Sequence, residues 1–178
     1  MQANVKYLRP LPDPPKELES LFREHYNQVF RTAYKITGSV SDAEDVLQTV
    51  FLRLAGRKEG FDLSPSPGSY LHRAAINASL DIVRHHSKSK SVALEEITEN
   101  TDLNPEAQHA DNELRWRVRQ SVASLGARAA EIVALKYFEG YGNREIAKML
   151  GTSQMVVAVV LHRARGRLRN EIGKFLEA

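Results

Sequence analysis

Glu131-Ile132-Val133-Ala134-Leu135-Lys136-Tyr137-Phe138-Glu139-Gly140-Tyr141-Gly142-Asn143-Arg144-Glu145-Ile146-Ala147-Lys148-Met149-Leu150-Gly151-Thr152-Ser153 is the stretch whose reading decides the fold. Ile132, Val133 and Leu135 follow one helical pattern, and Glu139-Gly140-Tyr141-Gly142 is a Gly-rich turn. Asn143 opens a short second pattern through Ile146, Ala147 and Leu150, which Gly151-Thr152-Ser153 closes. A third pattern follows through Val157, Leu161, Ala164, Leu168 and Ile172. A short helix, a tight turn and a longer helix make a helix-turn-helix. The outer face of the last helix carries His162, Arg163, Arg165, Arg167, Arg169 and Lys174. A helix apolar on one side and arginine-rich on the other suits a polyanion, and duplex DNA is the commonest such partner.

Working outward, the charge layout repeats this theme. Residues 1–91 hold 13 Lys and Arg against 10 Asp and Glu; residues 92–113 hold none against 7; residues 114–178 hold 12 against 5. The overall charge of +3 therefore hides a basic–acidic–basic order, and local charge is what a polyanion meets. The chain has no cysteine, which removes disulfides, thiolate metal ligands and thiol catalysis and fits a reducing, cytoplasmic setting. No apolar run is long enough for a membrane span, and no apolar core follows the N-terminal charges, so neither a membrane segment nor a secretory signal is expected. None of the six histidines stands in a paired metal-ligand spacing. There is no phosphate-binding Gly loop and no nucleophile elbow, so neither metal, cofactor nor enzymatic activity is expected.

The rest of the chain reads as all-α, two helical domains on a flexible acidic linker. Residues 1–15 are a Pro-rich N-terminal arm, 16–90 a first helical domain, 91–111 the linker and 112–178 the helix-turn-helix domain. A first helix runs from about Lys16 to Thr37, with Leu18, Leu21, Phe22, His25, Val29, Phe30, Ala33 and Ile36 on its stripe and Gly38 past its end. His25 on that stripe reads as a satisfied core histidine rather than a ligand. Ser41-Asp42-Ala43-Glu44 has the form of a capping box, predicting a second helix that buries Val46, Leu47, Val50, Phe51 and Leu54 and stops by Gly56. Ser66-Pro67 opens a third, through Leu71, Ala74, Ala75, Ala78 and Ile82. Asn104-Pro105 starts a fourth, with Leu114, Val118, Val122 and Leu125 inward and Gly126 as its breaker.

These strings, in this order, resemble the extracytoplasmic-function (ECF) group of bacterial RNA polymerase sigma factors. The first domain matches through Leu21-Phe22-Arg23-Glu24-His25-Tyr26, the run Asp42 to Leu54, Tyr70-Leu71-His72-Arg73-Ala74-Ala75-Ile76-Asn77 and Asp81-Ile82-Val83-Arg84. The second matches through Leu135-Lys136-Tyr137-Phe138-Glu139-Gly140-Tyr141, Glu145-Ile146-Ala147-Lys148-Met149-Leu150-Gly151 and Leu161-His162-Arg163-Ala164-Arg165. The resemblance implies a promoter-specificity subunit that binds RNA polymerase core, recognises promoter DNA and helps to open it. It implies polymerase docking by Asp42, Glu44, Asp45, Gln48, Phe51 and Arg53, although acids in a first helical turn also simply suit the helix dipole. It assigns the minus-ten element to Tyr70, Arg73, Asn77, Arg84 and Lys88, three, four or seven residues apart and so open to one face. Asn77 is a poor mid-helix residue that either faces solvent or offers its amide to a base or backbone. Tyr70 reads more as core than as a stacking platform, and Asp81 as a local partner of Arg84.

The minus-thirty-five element would fall to Arg144, Ser153, Gln154, Val156, Val157, His162, Arg163 and Arg165. Here the chain departs from its family's Gly-Thr-Val-Lys-Ser-Arg-like run: Val156 stands at the Thr position, and Ala158 and Val160 at the Lys and Arg positions. The helix then either reads a T-rich or shape-defined element or has become a protein-binding face. The acidic linker would follow a basic channel of the polymerase or serve as a solvated spacer. The resemblance also implies an anti-sigma factor as a partner. Two other readings stay open: a stand-alone helix-turn-helix regulator, and an adaptor that binds a protein through the valine-rich helix.

Overall fold

The computed structural model describes residues 16–56, 63, 66–92 and 105–176, and every regular element among them is helical. The Pro-rich arm at 1–15 and the linker residues 93–104 lie outside the described residues. α1 spans Lys16–Thr37, as the periodicity predicts, with Glu17 and Glu19 in its first turn and Lys35 in its last, in line with the helix dipole. Gly38 ends it at φ +76°, and its N–H returns 2.8 Å to the Tyr34 carbonyl. Only glycine takes that left-handed turn without strain.

α2 spans Val40–Ala55 and corrects the expected start. Ser39, not Ser41, is the N-cap: its hydroxyl accepts the Asp42 N–H at 3.3 Å, while Ser41 sits inside the first turn. The physical reason is Gly38, which releases the chain from α1 one residue ahead of the cap. α3 spans Pro67–Val92, capped by Ser66 through the Ser69 N–H at 3.3 Å. α4 spans Pro105–Ser124. The tract read as linker is therefore helical at both ends, at residues 91–92 and 105–111.

α5, Ala127–Val133, runs into a single π turn over Ala134–Phe138. α6 spans Asn143–Met149, and its first turn is closed by Glu145, whose carboxylate accepts the Gly142 N–H at 2.7 Å. α6 stops in a Schellman turn: Gly151 adopts φ +58°, and the Thr152 N–H reaches the Ala147 carbonyl at 2.9 Å. That tight turn sends the chain into α7, Gln154–Leu176, which completes the helix-turn-helix.

Two cores hold the fold. α1, α2 and one side of α3 enclose Val29, Ala33, Val46, Leu54, Leu71 and Ala75, with Tyr70 packed against them. The second core gathers Ile132, Leu135, Ile146, Val157 and Leu161 from α5 to α7, and it also takes Ile36, Ile76, Leu80 and Val83 from the first domain. α3 is thus apolar on two stripes, and its second stripe is the seam between the domains. Each fully buried Leu or Ile contributes about 1.5–3 kcal/mol, so this seam is a substantial apolar contact. Arg119 of α4 adds to it: its guanidinium lies where a side chain at Gly38 would be, 2.6 Å from an ideal Cβ. Burial and the neighbouring Arg115 hold the Arg119 pKa below its ordinary value.

Candidate nucleic-acid interface

Three helices carry the candidate residues, and packing decides which of them face outward. On α2, Glu44, Asp45, Gln48 and Arg53 are exposed. Phe51 is not: it is 7% exposed, its ring 4.9 Å from that of Phe22, so it belongs to the core and not to an outer contact face. Phe22 in turn sits at the surface above it. Asp42 is half-buried, 3.7 Å from His86. Sequence reasoning passed over Leu52, which is 69% exposed and lies on the face of Gln48 and Glu44 at four-residue steps.

On α3, the five candidate residues separate. Tyr70 packs on the first core, and Lys88 is exposed. Arg73, Asn77 and Arg84 all turn toward the second domain. Arg73 Nε donates to Glu131 Oε1 at 2.8 Å and its terminal nitrogen to the Met149 carbonyl at 3.4 Å. Asn77 Nδ2 donates to the same Glu131 oxygen at 3.3 Å, so its amide is used within the chain on a carboxylate of the second domain. Arg84 Nε donates to the Ala123 carbonyl at 2.7 Å and its terminal nitrogen to Asp81 at 2.7 Å, the local pair the spacing predicts.

Beside them, His72 is buried and central. Gln28 Nε2 lies 3.1 Å from its Nδ1, and the Tyr141 hydroxyl 3.2 Å. An amide NH2 only donates, so Nδ1 accepts and the proton is on Nε2. Nε2 faces Glu139 Oε2 at 2.8 Å and Thr32 Oγ1 at 3.1 Å. Glu139's other oxygen is 3.3 Å from Lys35 Nζ. Burial alone would raise the Glu139 pKa; His72 and Lys35 outweigh it and hold the carboxyl below its ordinary value. Burial and the two carboxylates Glu139 and Glu145 push the Tyr141 phenol up, so it stays protonated as a donor. His25 bonds Gln28 at 3.2 Å, the satisfied role its stripe position implies.

On α7, the apolar stripe is buried through Val157, Leu161 and Ala164. Val157 is fully sealed, so it cannot touch a base; its stripe role excludes the contact role. Val160 is half-buried on the same core. Ser153 spends its hydroxyl on capping α7, accepting the Val156 N–H at 3.2 Å. Outward stand Gln154, Met155, Val156, Val159, His162, Arg163, Arg165, Arg167 and Arg169, with Arg144 exposed on α6. Arg165 also reaches back 3.3 Å to the Leu161 carbonyl. Among the described residues, no group of three or more His, Asp or Glu is placed to hold a metal, and no helix is long and apolar enough to cross a membrane.

The comparisons match this architecture. The family model for Sigma-70 region 2 covers residues 21–89, and that for Sigma-70 region 4 covers residues 115–168. The chain is 31% identical over 156 residues to the RNA polymerase sigma-E factor of Streptomyces coelicolor, covering 88% of this chain and 86% of that one. The chain belongs to the ECF group of RNA polymerase sigma factors. It is a sigma subunit of transcription initiation, a role exercised with RNA polymerase core and promoter DNA. The ECF sigma factor SigE of Mycolicibacterium smegmatis is also 31% identical, over 88% of this chain, which spans 62% of that longer protein. Two solved structures share the fold of this sigma factor. One is the sigma factor RpoE bound to the anti-sigma factor NepR from Bartonella quintana, at TM-score 0.50 and 17% identity over 89% of this chain and 98% of that one. The other is CnrH bound to the cytosolic domain of CnrY, at TM-score 0.51 and 21% identity over 89% of each chain.

Proposed function

We propose a division of labour within this sigma subunit. Residues 16–90 act as a region 2-like domain and 112–178 as a region 4-like domain. The exposed face of α2, with Glu44, Asp45 and Gln48 around Leu52 and Arg53 beside them, docks on the polymerase core. Arg73, Asn77 and Arg84 of α3, with Lys88 beyond them, hold the separated minus-ten strand, since basic donors and an amide suit an unstacked single strand. Gln154, His162, Arg163 and Arg165 of α7, with Arg144, contact the upstream duplex; the arginines hold phosphates, and Met155, Val156 and Val159 offer apolar contact to thymine methyls. The linker and the N-terminal arm serve as a tether and a lead-in. Bivalent attachment through one chain raises the effective concentration of each domain at its site. An anti-sigma factor is the expected inhibitor, a partner of the kind bound to the sigma factor RpoE from Bartonella quintana.

The observation that carries this reading is that α2 and α7 each keep one face clear of the cores, acidic around an apolar centre on α2 and cationic on α7. The test is co-elution of the full chain with sigma-free core polymerase at low ionic strength, followed by promoter opening. Wild type is expected to co-elute and Leu52→Glu to lose that association while staying folded. Failure of the wild type to co-elute would overturn the reading.

A further inference from the structure

The head of α7 presents an apolar surface between two cationic edges. Met155, Val156 and Val159 are 77%, 47% and 43% exposed. Met155 and Val159 stand four residues apart, on the side of the helix away from the buried Val157, Leu161 and Ala164. Arg163 lies seven residues beyond Val156 on one edge of that line, and Arg165 seven beyond Ala158 on the other, all four exposed. A duplex groove has the matching layout, with a phosphate chain on each wall and base edges on its floor. The β-branch of valine costs helix propensity at an exposed site, but it holds the side chain close to one rotamer, so little freedom is lost on contact.

The base edges that suit this surface follow from its donors and acceptors. Guanine is read in the major groove by Arg or Lys donating to O6 and N7, and cytosine by a carboxylate accepting from N4. Residues 154–161, the first two turns of α7, contain neither kind of side chain. Gln154 is the one side chain there that hydrogen-bonds a base edge, and its amide matches N6 and N7 of adenine. Ser153, just before the helix, spends its hydroxyl on the Val156 N–H at 3.2 Å. For an apolar side chain the major-groove floor offers the C5-methyl of thymine.

We propose that the head of α7 selects an A/T element through thymine methyls: Met155, Val156 and Val159 cover the methyls, Gln154 takes an adenine, and guanine is not read there. This deepens the assignment of α7 to the upstream duplex and rests on it. Ala158 and Val160, where the family resemblance places Lys and Arg, are the residues that remove guanine from the code. Specificity then comes from the methyl groups, and affinity from the arginines at the edges.

Thymine and uracil differ at C5 alone, which makes the test atomic. The full chain, assembled with core polymerase, selects promoters from duplexes randomised in the upstream element. The recovered elements are expected to be A/T-rich with no fixed guanine. Deoxyuridine in place of thymidine across a selected element should weaken binding about fourfold per contacted methyl, the ordinary worth of one buried carbon. The same exchange in duplex flanking the element should change nothing. Met155→Ala, Val156→Ala and Val159→Ala together alter exposed positions only and should bind the thymine and uracil duplexes alike. A fixed guanine, no base preference, or equal binding of thymine and uracil duplexes by the wild type overturns the proposal. Hydroxyl-radical protection of the upstream duplex then locates the failure. Protection retained means that α7 lies on DNA and the methyl code alone is wrong; protection absent means that the assignment of α7 to the duplex has failed with it. Uracil sensitivity that survives in the triple variant overturns the role of these three side chains.

Discussion

Glu139 and His72 stand 67 residues apart in sequence and 2.8 Å apart in space, both all but sealed from solvent. The backbone makes the meeting possible. The π turn over Ala134–Phe138 adds a residue to the end of α5, the Glu139 N–H bonds back to Ala134, and Gly140 at φ +80° turns the chain so that Tyr141 follows onto the same imidazole. A one-residue insertion in a helix is thus used to aim two polar side chains at the neighbouring domain.

A pH dependence follows from Glu139. In the unfolded chain its carboxyl titrates near 4.5, while in the folded chain it stays ionised to lower pH. Its contribution is therefore complete above that ordinary value and is lost as pH falls through the lower folded value. Glu139→Gln keeps the shape and loses the charge, with an expected cost of about 1–3 kcal/mol near neutrality. In thermal unfolding, the gap between wild type and Glu139→Gln should be full near neutrality and narrow below pH about 4.5. A gap that widens in acid would contradict the assignment.

The turn at Gly38 carries two constraints that can be separated. A Cβ there meets both a left-handed backbone and the guanidinium of Arg119 at 2.6 Å. The backbone component of Gly38→Ala is about 1–2 kcal/mol; displacement of Arg119 adds to it. In an Arg119→Ala background only the backbone component remains, so the two substitutions should be non-additive by about 0.5–3 kcal/mol in urea unfolding. Simple additivity would mean that Arg119 moves aside freely.

Adjacent residues Phe51 and Leu52 separate folding from docking. Phe51→Ala empties a buried site beneath Phe22 and is expected to cost about 3–5 kcal/mol of stability. Leu52→Ala changes an exposed position and should stay within about 0.5 kcal/mol of wild type. Polymerase affinity, measured by titration of core polymerase, should fall for Leu52→Ala in spite of that unchanged stability.

These residues also show how far sequence reasoning reaches. Periodicity delivered the helices because an amphipathic stripe and its glycine and proline stops are local signals: α1 ends where Gly38 demands it, and Gly151 closes α6. Phe51 was visible as core from its spacing and still entered the docking group, because the family resemblance names a helix and leaves its faces to be resolved. The second stripe of α3 was missed for a related reason. Ile76, Leu80 and Val83 alternate with Arg73, Asn77 and Arg84, and a face mixing apolar and basic residues looks like a solvated one until its partner is known. Glu131 offered the one available hint, a carboxylate inside the apolar run Ala130-Glu131-Ile132-Val133. A charge so placed needs a buried partner, but the partner's identity is a long-range fact that spacing does not carry.

On α7 the division between stripe and outer face gives the last prediction. Ala158 stands exposed where the family resemblance places a lysine, whereas Val157 beside it is fully buried. Ala158→Lys restores a cation on the outer face without disturbing the core. If that face lies along the duplex, one added phosphate contact steepens the dependence of log K on log salt concentration by about 0.9. The increase should be similar for promoter and unrelated duplexes, because a phosphate contact carries no sequence information. Val157→Lys forces a charge into the second core and should unfold the domain before any DNA effect can be read. Salt-dependent titration of duplex DNA with Ala158→Lys therefore decides the matter: an unchanged slope would mean that this part of α7 stands away from the phosphates, and that its exposed Met155, Val156 and Val159 serve a protein partner instead.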